Sequence, residues 1–360
     1  MAASNARPGA RTTLRDVARL AGVHPATASR ALNEETRSLV NEETAQRVLR
    51  AAEEVGYRPN PIARGLKTNR SYTVGVLIPD LNNPLFPPIL RGIEDRLEVA
   101  GYTSLIANTD NDPERELLDT QAMRARQVDG IIAATARRDH GLFDEVVASG
   151  LDLVLVNRWL PDVAISSATA DDRRGQRLAV QHLTELGHRS IAHIAGPLDY
   201  STGFDRHEGF LEAVRDAGLD PDPKLVVVSE AFTESEGARL CAQLLDGGRE
   251  FTAIAAANDL LALGCLDTFA ERGVECPGEV SVVGFNDMPF AARFQPPLTT
   301  IHIPHYEIGS AAAELMLERL QGADGEPRHV RLEPTLVVRD STAPPGGREI
   351  KTALEQPRGA

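Results

Sequence analysis

The chain has 360 residues, 42% of them hydrophobic, more apolar material than one compact core usually organises, so two or three domains are expected. No apolar run reaches the ~18 residues of a membrane helix, and residues 1–10 lack the apolar segment of a secretory signal, so a soluble, cytoplasmic protein without a membrane partner is expected. The net charge of −14 argues against nucleic acid only as an average: residues 1–70 carry 12 Lys and Arg against 7 Asp and Glu, a net +5, which leaves −19 on the rest.

A disordered arm over 1–11 precedes a helical head over 12–60. Thr13 can cap a helix whose apolar positions Leu14, Val17, Ala18 and Ala21 keep helical spacing, and Gly22 stops it. Pro25 suits the first turn of a second helix, which buries Ala28, Ala31 and Leu32 and turns Ala26, Ser29, Arg30 and Asn33 outward. A third helix starts at the N-cap Asn41 and carries Ala45, Val48, Leu49, Ala52 and Val55 along one stripe to Gly56. On spacing alone the first two helices could be any αα-corner. The runs TLRDVARLAGV, TASRALN and VNEETAQRVLRAAEEVGYRPN resemble the DNA-binding head of the lactose/galactose repressor (LacI) family.

The resemblance implies a helix-turn-helix that sets its second helix in the major groove of palindromic operator DNA. Pro25, Ala26 and Arg30 would read bases, while Thr27, Ser29 and Asn33 lie nearer the phosphates; Thr13 and Asn60 are further candidate contacts. Arg30 can donate two parallel bonds to guanine O6 and N7, worth about 1–3 kcal/mol of discrimination. His24 stands at the cap of the recognition helix where the family usually has serine, which leaves capping and a phosphate contact as its two alternatives.

Residues 61–71 form a hinge whose prolines and Gly65 leave too little to hold an isolated helix. In the family this linker folds on DNA and levers a leucine into the minor groove; the matching residue is Leu66, with Ala63 beside it.

From Val74 short apolar runs alternate with helical stretches: VGVLIP, TSLIAN, DGIIAA and DLVLV, then SIAHIAG, KLVVV, FTAIAAA and VSVVGF. Helices are expected over 86–100, 113–126, 172–186, 206–217, 235–246 and 260–272. The fold class is therefore α/β with an all-α head: two doubly wound lobes with a ligand cleft beyond the carboxyl ends of the strands. NNPLF, LVNR, HLTELGHRSIAHIAGP, RHEGF, AANDLLALG and VSVVGFNDMPFAARFQPPLTTI resemble the periplasmic-binding-protein-like sensor of the same family. On that basis the effector-binding domain spans 72–340, the first lobe holding 72–168 and 299–326 and the second 169–298 and 327–340. The tail 341–360 is expected to be disordered; without leucine heptads to build a tetramer, a homodimer is expected.

The resemblance places Phe86, Asn157, Arg206, Phe232, Asn258 and Asn286 around a small-molecule effector. Each has a plainer reading: Phe86 and Phe232 as core aromatics, Asn258 as a helix cap, Arg206 as partner of Asp205 or Glu208. The family commonly has Asp where Asn286 stands, so a neutral amide replaces an anionic acceptor, while Arg158 beside Asn157 offers positive charge. A carbohydrate or its phosphate is favoured, with a purine-like or other metabolite as the alternative. Catalytic motifs such as GxSxG, GxxxxGK[ST] and HExxH are absent, and Cys241, Cys265 and Cys276 show no metal-site spacing, so neither enzyme activity, cofactor nor metal is expected. The function that follows is a transcriptional repressor whose operator affinity is set by that effector.

Overall fold

The computed structural model describes residues 12–57, 70–139, 141–161, 163–322 and 325–346. The expected arm, the hinge candidates Asn60, Ala63 and Leu66, and the tail beyond 346 lie outside the described residues. The chain divides into two compact units, Met1–Tyr72 and Thr73–Ala360.

The head contains α1 (Leu14–Leu20), α2 (Pro25–Leu32), α3 (Glu34–Arg37) and α4 (Glu42–Glu54). Its core is mostly alanine: Ala18, Ala21, Ala28, Ala31, Ala45, Ala51 and Ala52 surround Val17 and Val48. Small side chains at these positions let short helices approach closely, so a few dozen residues suffice for a core. Gly22 takes φ +65°, the left-handed value that the tight turn into α2 requires. Leu49, expected on the inner stripe of α4, is only half-buried, and Ala51 takes a place in the core. The short helix α3 was not legible in the sequence. It supports α2 from behind: the Thr36 hydroxyl donates to the Arg30 carbonyl at 3.1 Å and Arg37 Nε to that of Ala31 at 3.1 Å, satisfying carbonyls that a helix end leaves open.

The body holds twelve strands among the described residues: β1 (Thr73–Ile78), β2 (Thr103–Asn108), β3 (Gly130–Ala133), β4 (Asp152–Val156), β5 (Ser166–Ala170), β6 (Ile191–Ala195), β7 (Val226–Val228), β8 (Ala253–Ala256), β9 (Ser281–Asn286), β10 (Thr299–His302), β11 (His329–Leu332) and β12 (Thr335–Val337). They form two six-stranded sheets, ordered β11-β5-β4-β3-β1-β2 and β12-β10-β9-β8-β6-β7, parallel except for β12 against β10. The helices α5 (Phe86–Val99), α6 (Pro113–Ala125), α7 (Leu142–Ala148), α8 (Asp172–Glu185), α9 (Ser201–Asp216), α10 (Glu234–Asp246), α11 (Asp259–Arg272) and α12 (His305–Leu320) make the crossovers and cover the sheets. Each sheet has its own core, around Ile131, Phe143 and Leu155 in the first lobe and around Ile254, Phe269 and Val282 in the second.

Three chain passages join the lobes, and two of them differ from expectation. The stretch from Thr299 was expected in the first lobe, but β10 pairs with β9 in the second, and only α12 returns to the first. β11, expected in the second lobe, pairs with β5 in the first. α12 packs against α5 so closely that a Cβ at Gly309 would overlap the Ile89 carbonyl, and one at Gly92 that of Tyr306. The expectation of a tail unpacked from Ser341 is also corrected. Ser341 is fully buried: its Oγ donates to the Val282 carbonyl at 2.6 Å and accepts from Thr299 N–H at 2.8 Å, so the second lobe continues past residue 340. Cys241 and Cys265 are buried free thiols, while Cys276 is half-buried and its thiol is pushed up to about 12 by desolvation.

Candidate functional site

In the head, α2 buries Ala28 and Ala31 and leaves Ala26 and Arg30 exposed, with Pro25, Thr27, Ser29 and Asn33 half-buried. Positions 26, 29, 30 and 33 follow the i, i+3, i+4, i+7 pattern of one helix face. Of the two alternatives for His24, the structure shows the cap: its Nδ1 accepts from the Ala26 N–H at 3.2 Å. An imidazole that accepts at Nδ1 while neutral carries its hydrogen on Nε2, so the ring can cap the helix and still offer a donor outward. The Thr13 hydroxyl is directed at Asp16, whose carboxylate accepts it at 2.7 Å together with the Thr13 N–H at 3.0 Å. Those bonds hold the Asp16 carboxyl below its usual range.

In the body, the six expected effector residues converge on one cavity of about 130 Å³ between the lobes. At the ~30 Å³ that each water occupies in the liquid, this is room for about four waters, the scale of a small polar molecule. The first lobe supplies Phe86 at the start of α5 and Asn157 just after β4; the second supplies Arg206 on α9, Phe232 after β7, Asn258 after β8 and Asn286 at the end of β9. Parallel strands explain this placement, since their carboxyl ends all open on the same edge.

Asn157 and Asn286 sit at φ +64° and +109°, conformations that side chains other than glycine seldom hold without reason. The Oδ1 of Asn286 is buried without a hydrogen-bond partner among the described residues, an acceptor left for something else in the cavity. Asn258 caps α11, its Oδ1 accepting from Leu261 N–H at 2.8 Å. This plainer reading of Asn258 and its place in the cavity wall hold together, because the amide nitrogen is separate from the capping oxygen. Phe232 lies over Gly196, where a Cβ would overlap its ring, and stacks with Tyr200 at 6.4 Å between centroids.

Arg206 pairs with neither Asp205 nor Glu208. Its Nε donates to Asp172 at 2.7 Å and its Nη1 to the Ala257 carbonyl at 2.7 Å, while its guanidinium lies 3.8 Å from the Phe285 ring centre. Burial outweighs the Arg206 charge and pushes Asp172 up to about 6. Asp259, whose carboxylate accepts from Met288 N–H and the Thr300 hydroxyl, is pushed up to about 7 by the same desolvation. Arg206 is thus part of the body's fold as well as of the cavity wall.

Tyr200, Asn111 and Thr202 also line the cavity and were not singled out from sequence. The signal was available for two of them, since Tyr200 and Thr202 follow the fifth apolar run and the carboxyl ends of strands are where ligands bind. Tyr200 also crosses the lobes: its hydroxyl reaches Asn111 Oδ1 at 3.4 Å.

The profile of bacterial regulatory proteins of the lacI family matches residues 13–60, and that of a periplasmic binding protein-like domain matches 180–342. The HTH-type transcriptional regulator RegA of Clostridium saccharobutylicum is 35% identical over 333 residues, 92% of this chain and 99% of its own. The chain belongs to the LacI family of bacterial regulatory proteins. Its head is that family's DNA-binding helix-turn-helix, its body the periplasmic-binding-protein-like sensor, and its function transcriptional regulation. Among solved structures, a complex of the transcriptional regulator CelR with cellobiose superimposes with TM-score 0.72 at 32% identity, covering 92% of this chain and all of that one. A lac repressor dimer bound to operator and the anti-inducer ONPF gives TM-score 0.81 at 26% identity, covering 93% and 100%. No helix among the described residues is long and apolar enough to cross a membrane.

Proposed function

We propose that this LacI-family regulator is a cytoplasmic homodimeric repressor whose hold on a palindromic operator is altered by a carbohydrate or carbohydrate derivative in the interlobe cavity. The observation that carries this reading is the convergence of Phe86, Asn157, Arg206, Phe232, Asn258 and Asn286 on one cavity fed by both sheets. An aromatic face, amides that donate and accept, and guanidinium donors suit the apolar face and hydroxyl rim of a sugar. In the head, Arg30 reads a base while Thr27, Ser29 and Asn33 hold the backbone.

A thermal-shift screen of sugars and sugar derivatives on the full chain tests the sensor, because a ligand far above its Kd raises stability by RT ln(1 + [L]/Kd). Duplex binding by the full chain and by a chain starting at Val74 tests the reader. Equal binding by the two would remove the head from DNA recognition.

A further inference from the structure

Arg158 follows Asn157 at the mouth of β4, lines the same cavity, and is 5% exposed. Its guanidinium lies 3.7 Å from the centre of the Tyr200 ring. Its one hydrogen bond is long, from Nη1 to the Ala136 carbonyl at 3.5 Å, and its Nε has no partner among the described residues. A buried guanidinium normally sits in the fork of a carboxylate, because taking the charge out of water is otherwise expensive. Arg206, across the cavity, has such a partner in Asp172.

The acids that act on Arg158 do not fill that role. Glu116 is buried, bonded to the Thr135 hydroxyl, and itself pushed up to about 7 by desolvation, so it carries only part of its charge near neutrality. Asp199 is exposed, and water screens it. Asn157 and Asn286, also in the wall, are neutral amides. Asp80 and Glu230 also line the cavity, but Glu230 is exposed and Asp80 accepts from Asn82 N–H at 2.8 Å in a local turn. Among the described residues the cavity wall therefore holds two buried guanidinium groups, and that of Arg158, flanked by an aromatic face, is the one with no carboxylate partner and with its Nε unfilled.

We propose that Arg158 is the seat of a negatively charged oxygen group on the effector, a carboxylate or a phosphate, so that the ligand is an acidic or phosphorylated polyol and not a neutral sugar. This rests on the interlobe cavity being the effector site, and refines which ligand it takes. The planar guanidinium meets such a group with two parallel bonds, which a hydroxyl cannot reproduce.

The test uses the full chain and isothermal titration calorimetry with glucose, glucuronate, glucose 6-phosphate, ribose, ribose 5-phosphate and inorganic phosphate alone. Saturable binding of inorganic phosphate is expected, and binding of at least one acid or phosphate ester at least tenfold tighter than its neutral parent. Which anion binds tighter separates a carboxylate from a phosphate source. Arg158→Met should weaken anion binding at least tenfold, and Arg158→Lys, which keeps the charge and loses the fork, by less. The comparison of acid with parent needs no variant and stands even if Arg158→Met fails to fold. If the wild-type chain takes no anion, if a neutral sugar binds as tightly as its acid and ester, or if folded Arg158→Met binds anions unchanged, the proposal is overturned. Tight binding of a neutral sugar would overturn it while leaving the interlobe effector site in place.

Discussion

The head and the body put the residues proposed to bind DNA and effector in opposite environments. In the head they stand on an exposed to half-buried face of α2, over a core of alanine and valine to which they add no buried side chain. In the body all but the half-buried Phe232 are buried, and two serve the fold at the same time: Arg206 is ion-paired to Asp172 and Asn258 caps α11. The contrast teaches where function and stability separate. A reader of DNA must meet a large polyanion at its surface, whereas a sensor of a small molecule must exclude water, so its binding groups become core residues.

Arg206→Ala should break this separation most severely. It leaves Asp172 buried without its partner, for which a loss of about 3–5 kcal/mol is usual. Chemical denaturation of the body should show it at pH 8 and less of it at pH 5, where Asp172, already at about 6 beside Arg206, takes up a proton. An unchanged denaturation midpoint would make Arg206 a ligand contact alone. Phe232→Ala removes a half-buried ring from the cavity wall and should weaken effector binding roughly tenfold to a hundredfold, about 1.4–2.8 kcal/mol, with the circular dichroism spectrum intact. Arg30→Ala should cost operator binding about 1–3 kcal/mol and relax the preference at one symmetric pair of positions, with no change in melting temperature. Equal weakening on all sequences would make Arg30 a phosphate contact. Arg37→Ala should do the reverse, lowering the head's stability by about 1 kcal/mol through the Ala31 carbonyl it leaves open, while base preference persists.

A pH-dependent effect follows from Asp259. Burial raises its carboxyl from the usual 3.8 to about 7, so the folded body keeps a proton there that the unfolded chain releases. Between those values the native state binds more protons, and its contribution to stability is full at the acid end and declines as pH rises. The slope of the denaturation midpoint against pH should become shallower in Asp259→Asn between pH 5 and 7.

The same contrast explains what could be read from sequence. The three longer helices of the head were legible because their pattern is local, and their helix-turn-helix role through family resemblance; eight strands were legible because they are apolar runs. β5 was not, since SSATA is fully buried without an apolar signature; Ser166 accepts from Arg328 N–H at 3.1 Å and Ser167 bonds His329 at 2.9 Å. β10 misled for a similar reason, its buried Thr299 being satisfied by Ser341 and the Arg339 backbone, partners some forty residues away. α9 begins five residues before the expected 206, because Ser201, Thr202 and Gly203 are weak helix formers that packing carries into the helix. The six cavity residues were named through family resemblance; the partner of Arg206 and the unfilled donors of Arg158 needed the fold.

The central claim is that occupancy of the cavity sets the head's affinity for DNA. The most direct measurement is fluorescence anisotropy of a selected operator duplex titrated with the full chain, with and without a screened ligand held near its Kd. For the wild-type chain the ligand should change operator affinity severalfold, and for Phe232→Ala the change should vanish while ligand-free affinity stays the same. An operator affinity indifferent to ligand in the wild-type chain, or shifted equally in Phe232→Ala, would contradict the account.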